Sequence, residues 1–108
     1  MEGETLKGHL DLLLLAVVER GTLHGYGIIE ALRQRSRGAF DLAEGTVYPA
    51  LHRLERSGLL KSDWATEDGR RRRVYSLTMK GEAALIEQQQ AWKQFARSMN
   101  SVLQGVLG

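Results

Sequence analysis

The Asp68-Gly69 dipeptide, followed at once by Arg70-Arg71-Arg72-Arg73, constrains this chain more than any other feature. Asp-Gly between two alternating segments signals a tight hairpin, because the turn needs residues that tolerate a left-handed backbone. Strands are expected over Leu59 to Ala65 and Arg72 to Leu77, joined through Thr66-Glu67-Asp68-Gly69. Side chains alternate along a strand, so Arg71, Arg73, Tyr75 and Leu77 point one way and Arg70, Arg72, Val74 and Ser76 the other. Arginine therefore occupies both faces near the tip. Such a strand end is not packed against a core; it projects into solvent or onto a polyanion.

What precedes the hairpin reads as helical. Thr5 to about Arg20 carries Leu6, Leu10, Leu13, Leu14, Val17 and Val18 on one apolar face, with Leu12 and Leu15 on the opposite side. A helix this apolar all round needs cover on two faces, and a partner surface is expected over the second. Gly25 to about Arg35 forms a second helix with Tyr26, Ile29 and Leu32 inward, and Phe40 to Leu42 fits a very short strand. A third helix runs from Ala43 or Glu44 to Ser57, with Val47, Leu51 and Leu54 toward the core. Pro49 is awkward there, since proline cannot donate a backbone bond. Either the helix starts at Thr46 or its first turn is irregular. After the hairpin, Thr78 caps a long final helix reaching to about Val106. Leu85, Trp92, Phe95, Met99, Val102 and Val106 recur along it at nearly heptad spacing. A helix of that length exceeds what one small domain can cover, so its far half is expected to meet another partner.

Length and charge narrow the function. The 108 residues suffice for one compact unit, read as residues 1–77 with a helical extension over 78–108. Net charge is only +2, but Arg33 to Arg73 holds ten basic against six acidic residues, so the middle of the chain is the electrostatic footprint. Cysteine is absent, which excludes disulfides and thiolate metal sites and suits a cytoplasmic location. The apolar run Leu12 to Val18 is too short to span a bilayer. His9, His24 and His52 have no metal-ligand spacing, no nucleophile set is identifiable, and no cofactor is expected; the chain does not read as an enzyme. His24 reads as a structural turn residue.

The order helix, helix, short strand, helix, hairpin is that of a winged helix-turn-helix: mainly α with a small β-hairpin (α+β), plus a long C-terminal helix. The chain also resembles a known family. His24-Gly25-Tyr26-Gly27-Ile28, Gly45-Thr46-Val47-Tyr48-Pro49-Ala50-Leu51-His52-Arg53-Leu54-Glu55, Gly58-Leu59-Leu60 and Gly69 through Gly81 look like the PadR family of transcriptional regulators, over about residues 8 to 82. The tail resembles that family's short-tail branch. The resemblance implies a homodimeric repressor on double-stranded DNA, with a small hydrophobic or aromatic effector in some members.

Thr46 and Tyr48 match family positions at the front of the recognition helix, where a helix N-terminus offers backbone donors to phosphate. The alternatives are a helix cap for Thr46 and a partly buried core ring for Tyr48. Glu44 either accepts from a cytosine amino group or simply favours the helix dipole. His52 and Arg53 lie further along the helix. No acid sits three or four positions from Arg53, which favours phosphate over an ion pair on its own helix. Arg70, Arg71, Arg72 and Arg73 form a basic edge for phosphate or minor-groove contact. Trp92 is either a plain dimer-core residue or, with Phe95, Met99 and the Gly8, Leu12 and Leu15 face of the first helix, part of an apolar effector site. Two rival readings are a winged-helix module that binds protein and a small-molecule sequestering protein.

Overall fold

In the computed structural model, which describes residues 6, 8–21 and 23–105, the chain runs α1 (Leu10–Glu19), β1 (Leu23–His24), α2 (Gly25–Arg35), α3 (Glu44–Arg56), β2 (Leu60–Glu67), β3 (Arg70–Leu77) and α4 (Met79–Leu103). The strands form one antiparallel sheet in the order β1-β3-β2. Asp68 and Gly69 both have positive φ, 52° and 76°, as a two-residue hairpin turn requires. The ladder places Trp64 opposite Arg73, Thr66 opposite Arg71 and Glu67 opposite Arg70. Both strands are longer than their apolar residues suggested, because pairing continues out to the arginines at the turn.

The core is built on α1. Leu14, Leu15, Val17 and Val18 pack with Ile28, Ile29 and Leu32 of α2, with Val47, Leu51 and Leu54 of α3, and with Leu60 and Tyr75 of the sheet. Helix α1 meets α2 and α3, and also β3 and α4. Its second apolar face is therefore covered largely by the chain's own hairpin and final helix. This corrects the expectation for Leu15, which is fully buried in the core and does not face an outer seam. Leu12 stays half-buried.

Three further expectations change. Tyr26 is 54% exposed and Ile28 takes the inward position, because at about 100° per residue Ile28 shares one helix face with Ile29 and Leu32 while position 26 falls outside it. Phe40 to Leu42 is not a strand. The Phe40 backbone N–H donates to Ser36 Oγ at 2.8 Å, and the place beside β3 is taken by Leu23–His24. Pro49 lies in the second turn of a helix that begins regularly at Glu44. The backbone N–H groups of Thr46 and Val47 both donate to the Ala43 carbonyl, at 3.0 and 3.1 Å. Proline merely leaves the exposed Gly45 carbonyl without its helical donor.

Thr78 caps α4, its Oγ1 accepting from the Gly81 backbone N–H at 3.0 Å and donating to the Gly58 carbonyl at 2.6 Å. The 25 residues of α4 make a rod of about 37 Å. The molecule measures 57 × 28 × 21 Å with a radius of gyration of 15.7 Å. A compact domain of this size would have about 13 Å. The excess is the outer half of α4, standing clear of the body. Among the described residues no helix is long and apolar enough to cross a membrane.

Candidate nucleic-acid interface

The N-terminal turns of α3 lie at the surface. Glu44, Gly45 and Thr46 are exposed, and so is His52 two turns on. Ala43, not Thr46, is the residue before the helix, and no side chain caps it. The Thr46 hydroxyl is thus free of the capping role considered for it. The Tyr48 ring is partly buried against the core and contributes its edge to a notch of about 320 Å³ between α3 and the hairpin, lined also by His24, Tyr26, His52, Arg72 and Tyr75. Burial is the main cause that pushes the Tyr48 hydroxyl above the usual tyrosine range; Glu44 adds to it and Arg72 opposes it. Tyr75 is shifted the same way, again by burial first. Both hydroxyls are protonated near neutral pH and can donate.

The Gly25 backbone explains why Tyr48 sits where it does. A Cβ at position 25 would collide with the Tyr48 ring. The glycine at the start of α2 and the tyrosine of α3, far apart in sequence, are two halves of one contact.

The four arginines divide in the structure. Arg71 and Arg73 lie over the Trp64 ring, 5.0 and 5.6 Å from its centroid. Such stacking attracts a guanidinium to the ring face. Arg73 is held further: its Nε donates to Ser62 Oγ at 2.9 Å, and Nη2 lies 3.6 Å from Glu55 Oε2. Ser62 Oγ in turn donates to Glu55 at 2.5 Å. Arg70 and Arg72 occupy the other face. Among the described residues no carboxylate lies within ion-pair distance of Arg70, Arg71 or Arg72.

Arg53 also has a partner, and this revises the argument made from its own helix. The acid comes from α1: Arg53 makes a two-pronged pair with Asp11, at 2.9 and 2.7 Å. Hydrogen bonding to Asp11 raises the Arg53 pKa, so the charge is fixed. Helical spacing alone cannot reveal a partner 42 residues away.

Two grooves meet at the root of α4's free half. One, of about 610 Å³, is lined by Gly8, His9, Leu12, Trp92 and Phe95, with Asp11 and Arg53 at its polar end. The other, of about 540 Å³ and more apolar, shares His9, Leu12, Trp92 and Phe95 and adds Leu13, Phe40 and Leu85. His9 meets the Trp92 ring edge-on at 5.1 Å, and Trp92 lies 6.0 Å from Phe95. Of the residues grouped as an effector site, Gly8, Leu12, Trp92 and Phe95 come together. Leu15 is in the core, and Met99 sits one turn further out and lines neither groove. Of the stripe on α4, Leu85 packs against the chain's own core, while Trp92, Phe95, Met99 and Val102 are exposed. Val106 lies outside the described residues. No cluster of metal-ligating side chains occurs among the described residues.

Trp64, Ser62, Glu55 and Asp11 are the residues that sequence reasoning missed. The hairpin register contained the signal for Trp64: an Asp68-Gly69 turn fixes it opposite Arg73.

A helix presented N-terminus outward beside an arginine-edged hairpin, on a body built around α1, is the architecture of a winged-helix regulator. Solved structures agree. A PadR-like transcriptional regulator of Bacillus cereus superposes with a TM-score of 0.85 at 28% identity, covering 94% of this chain and 98% of that one. A PadR family transcription regulator of Clostridium difficile has a TM-score of 0.78 at 37% identity, covering 89% and 99%. Bacillus subtilis PadR, solved in complex with operator DNA, shares the fold with a TM-score of 0.68 at 21% identity, covering 75% of this chain and 46% of that one. Transcriptional regulator Rv3488 of Mycobacterium tuberculosis is 44% identical over 77 residues, which is 71% of this chain and 69% of the relative. Residues 14–87 match the transcriptional regulator PadR-like family, and the chain belongs to it. It is a transcriptional regulator of that family and not an enzyme.

Proposed function

We propose that this chain is a sequence-specific DNA-binding repressor that acts as a homodimer on a palindromic operator. The observation that carries this reading is the exposed N-terminus of α3, Glu44 to Tyr48, set beside a hairpin whose Arg70, Arg71 and Arg72 have no acid partner among the described residues. A helix N-terminus and short hydroxyl side chains suit close approach to a groove, and guanidinium groups suit phosphate. Thr46, Tyr48, Glu44 and His52 are assigned to the groove and the three arginines to flanking backbone. Bacillus subtilis PadR, which shares the fold, is solved in complex with operator DNA, and this supports duplex DNA as the partner. The exposed stripe Trp92, Phe95, Met99 and Val102 is assigned to the dimer seam. Two recognition helices about 34 Å apart then meet successive major grooves.

An effector, on this reading, is a flat hydrophobic compound stacked on Trp92 in the groove with His9, Leu12 and Phe95. The Asp11–Arg53 pair at the groove's polar end joins it to α3, so an occupant can favour one placement of the recognition helix over another, as control requires. Selection of binding sites from random duplexes tests the proposal: a two-fold symmetric consensus is expected. Failure to enrich any duplex would favour a protein-binding module, and enrichment of asymmetric sites would remove the dimer.

A further inference from the structure

Arg73 is unlike its three neighbours. Its Nε–H is spent on Ser62, its Nη2 faces Glu55 of the recognition helix, and its guanidinium lies over Trp64. Glu55 is the only acid of α3 beyond its first turn, and Ser62 bridges it to Arg73 by donating to the carboxylate and accepting from the guanidinium. Three elements are thereby joined, α3 through Glu55, β2 through Ser62 and Trp64, and β3 through Arg73. The ladder alone leaves the outer hairpin free to swing relative to α3, because most side chains from Thr66 to Arg71 are exposed and none is in the core. The relay closes that freedom at a point about midway along the hairpin. Arg71, stacked on the same indole, takes its orientation from the ring that Arg73 helps to hold.

We propose that Arg73 is a positioning residue and not a phosphate contact: with Glu55, Ser62 and Trp64 it fixes the angle between wing and recognition helix, and so determines discrimination between DNA sequences. This rests on the DNA-binding function proposed above. Base readout and backbone grip must coincide for a specific site, whereas non-specific binding needs only the positive charge. A wing that swings keeps its charge and loses its register. Arginine is required because lysine lacks both the Nε–H in a fixed plane and the flat group that lies over an indole.

The test compares Arg73→Gln, Arg73→Lys, Glu55→Gln and Arg71→Gln for affinity to the selected operator and to random duplex over a range of salt. Expected for Arg73→Gln is an unchanged log–log salt slope with at least about a tenfold fall in the ratio of specific to non-specific affinity. Arg73→Lys and Glu55→Gln should do the same, and combining Glu55→Gln with Arg73→Gln should cost no more than either alone. Arg71→Gln should instead flatten the slope by about 0.9. A slope reduced in Arg73→Gln and restored in Arg73→Lys would overturn the proposal, since it is the signature of a plain phosphate contact. A readout in free protein separates this from the DNA reading. The indole N–H order parameter of Trp64, identified by its loss in Trp64→Phe, should fall in both Glu55→Gln and Arg73→Gln. Order unchanged in both variants would overturn the strut itself, whatever the protein binds. Wild-type protein with no duplex affinity at any salt would sink the DNA function, and with it Arg73's part in discrimination, while the order parameter would still judge the strut.

Discussion

Tyr48 has room for its ring because position 25 carries no side chain, and that single contact links two motifs that look independent in the sequence. Gly25→Ala would drive a methyl group into the ring. The expected cost is about 1–3 kcal/mol for overpacking a buried position, read as a lower Tm, together with weaker operator binding as Tyr48 is displaced. Unchanged stability and affinity would mean the ring relaxes freely and the glycine has another reason to be there. Asp11→Asn makes the opposite point. The Asp11–Arg53 pair is exposed by a third to a half, so its loss should change stability by less than about 1 kcal/mol in thermal unfolding. Residues such as Val47, Leu51 and Leu54 were legible from spacing alone, because helical periodicity reports which side of a helix is buried. Arg53 was not, since what neutralises a surface arginine depends on tertiary contact. The same limit applies to Glu55 and Arg73, which meet across two elements.

At the scale of elements, the hairpin was the most legible, because Asp68-Gly69 fixes both turn and register by local backbone chemistry. That helix α1 is apolar all round is legible in its sequence, but what covers it is not. Periodicity counts apolar faces without saying whether the second is met by the chain itself, and here β3 and α4 supply that cover. Helix α4 divides accordingly. Its first turns pack through Leu85 on the core, and its outer turns present Trp92, Phe95, Met99 and Val102 to the outside. Phe95→Glu with Met99→Glu should leave the folded body intact and shift sedimentation to that of a monomer; a dimer that survives both would place the seam elsewhere. Flat hydrophobic compounds should quench Trp92 emission in a Trp64→Phe background, and a varied panel without quenching would remove the effector site. Phe40 to Leu42 shows why short strands are hard to read. Alternation over three residues is satisfied equally by a linker whose backbone is held by Ser36.

On the scale of the whole molecule, the body is small and the rod of α4 long, which gives the 57 Å extent along one axis. In the proposed dimer, pairing through the rod is what sets two recognition helices apart. That spacing is the central claim, because the fold of one chain is consistent with any partner while the separation of two helices is specific to duplex DNA. The direct measurement is affinity for the selected operator as base pairs are inserted between its half-sites. An insertion of about five base pairs turns one half-site to the opposite side of the duplex. Binding should drop to the level of random DNA at that insertion, with the unaltered spacing tightest. Affinity indifferent to the insertion would contradict this, for it would mean that the two helices do not read one duplex together.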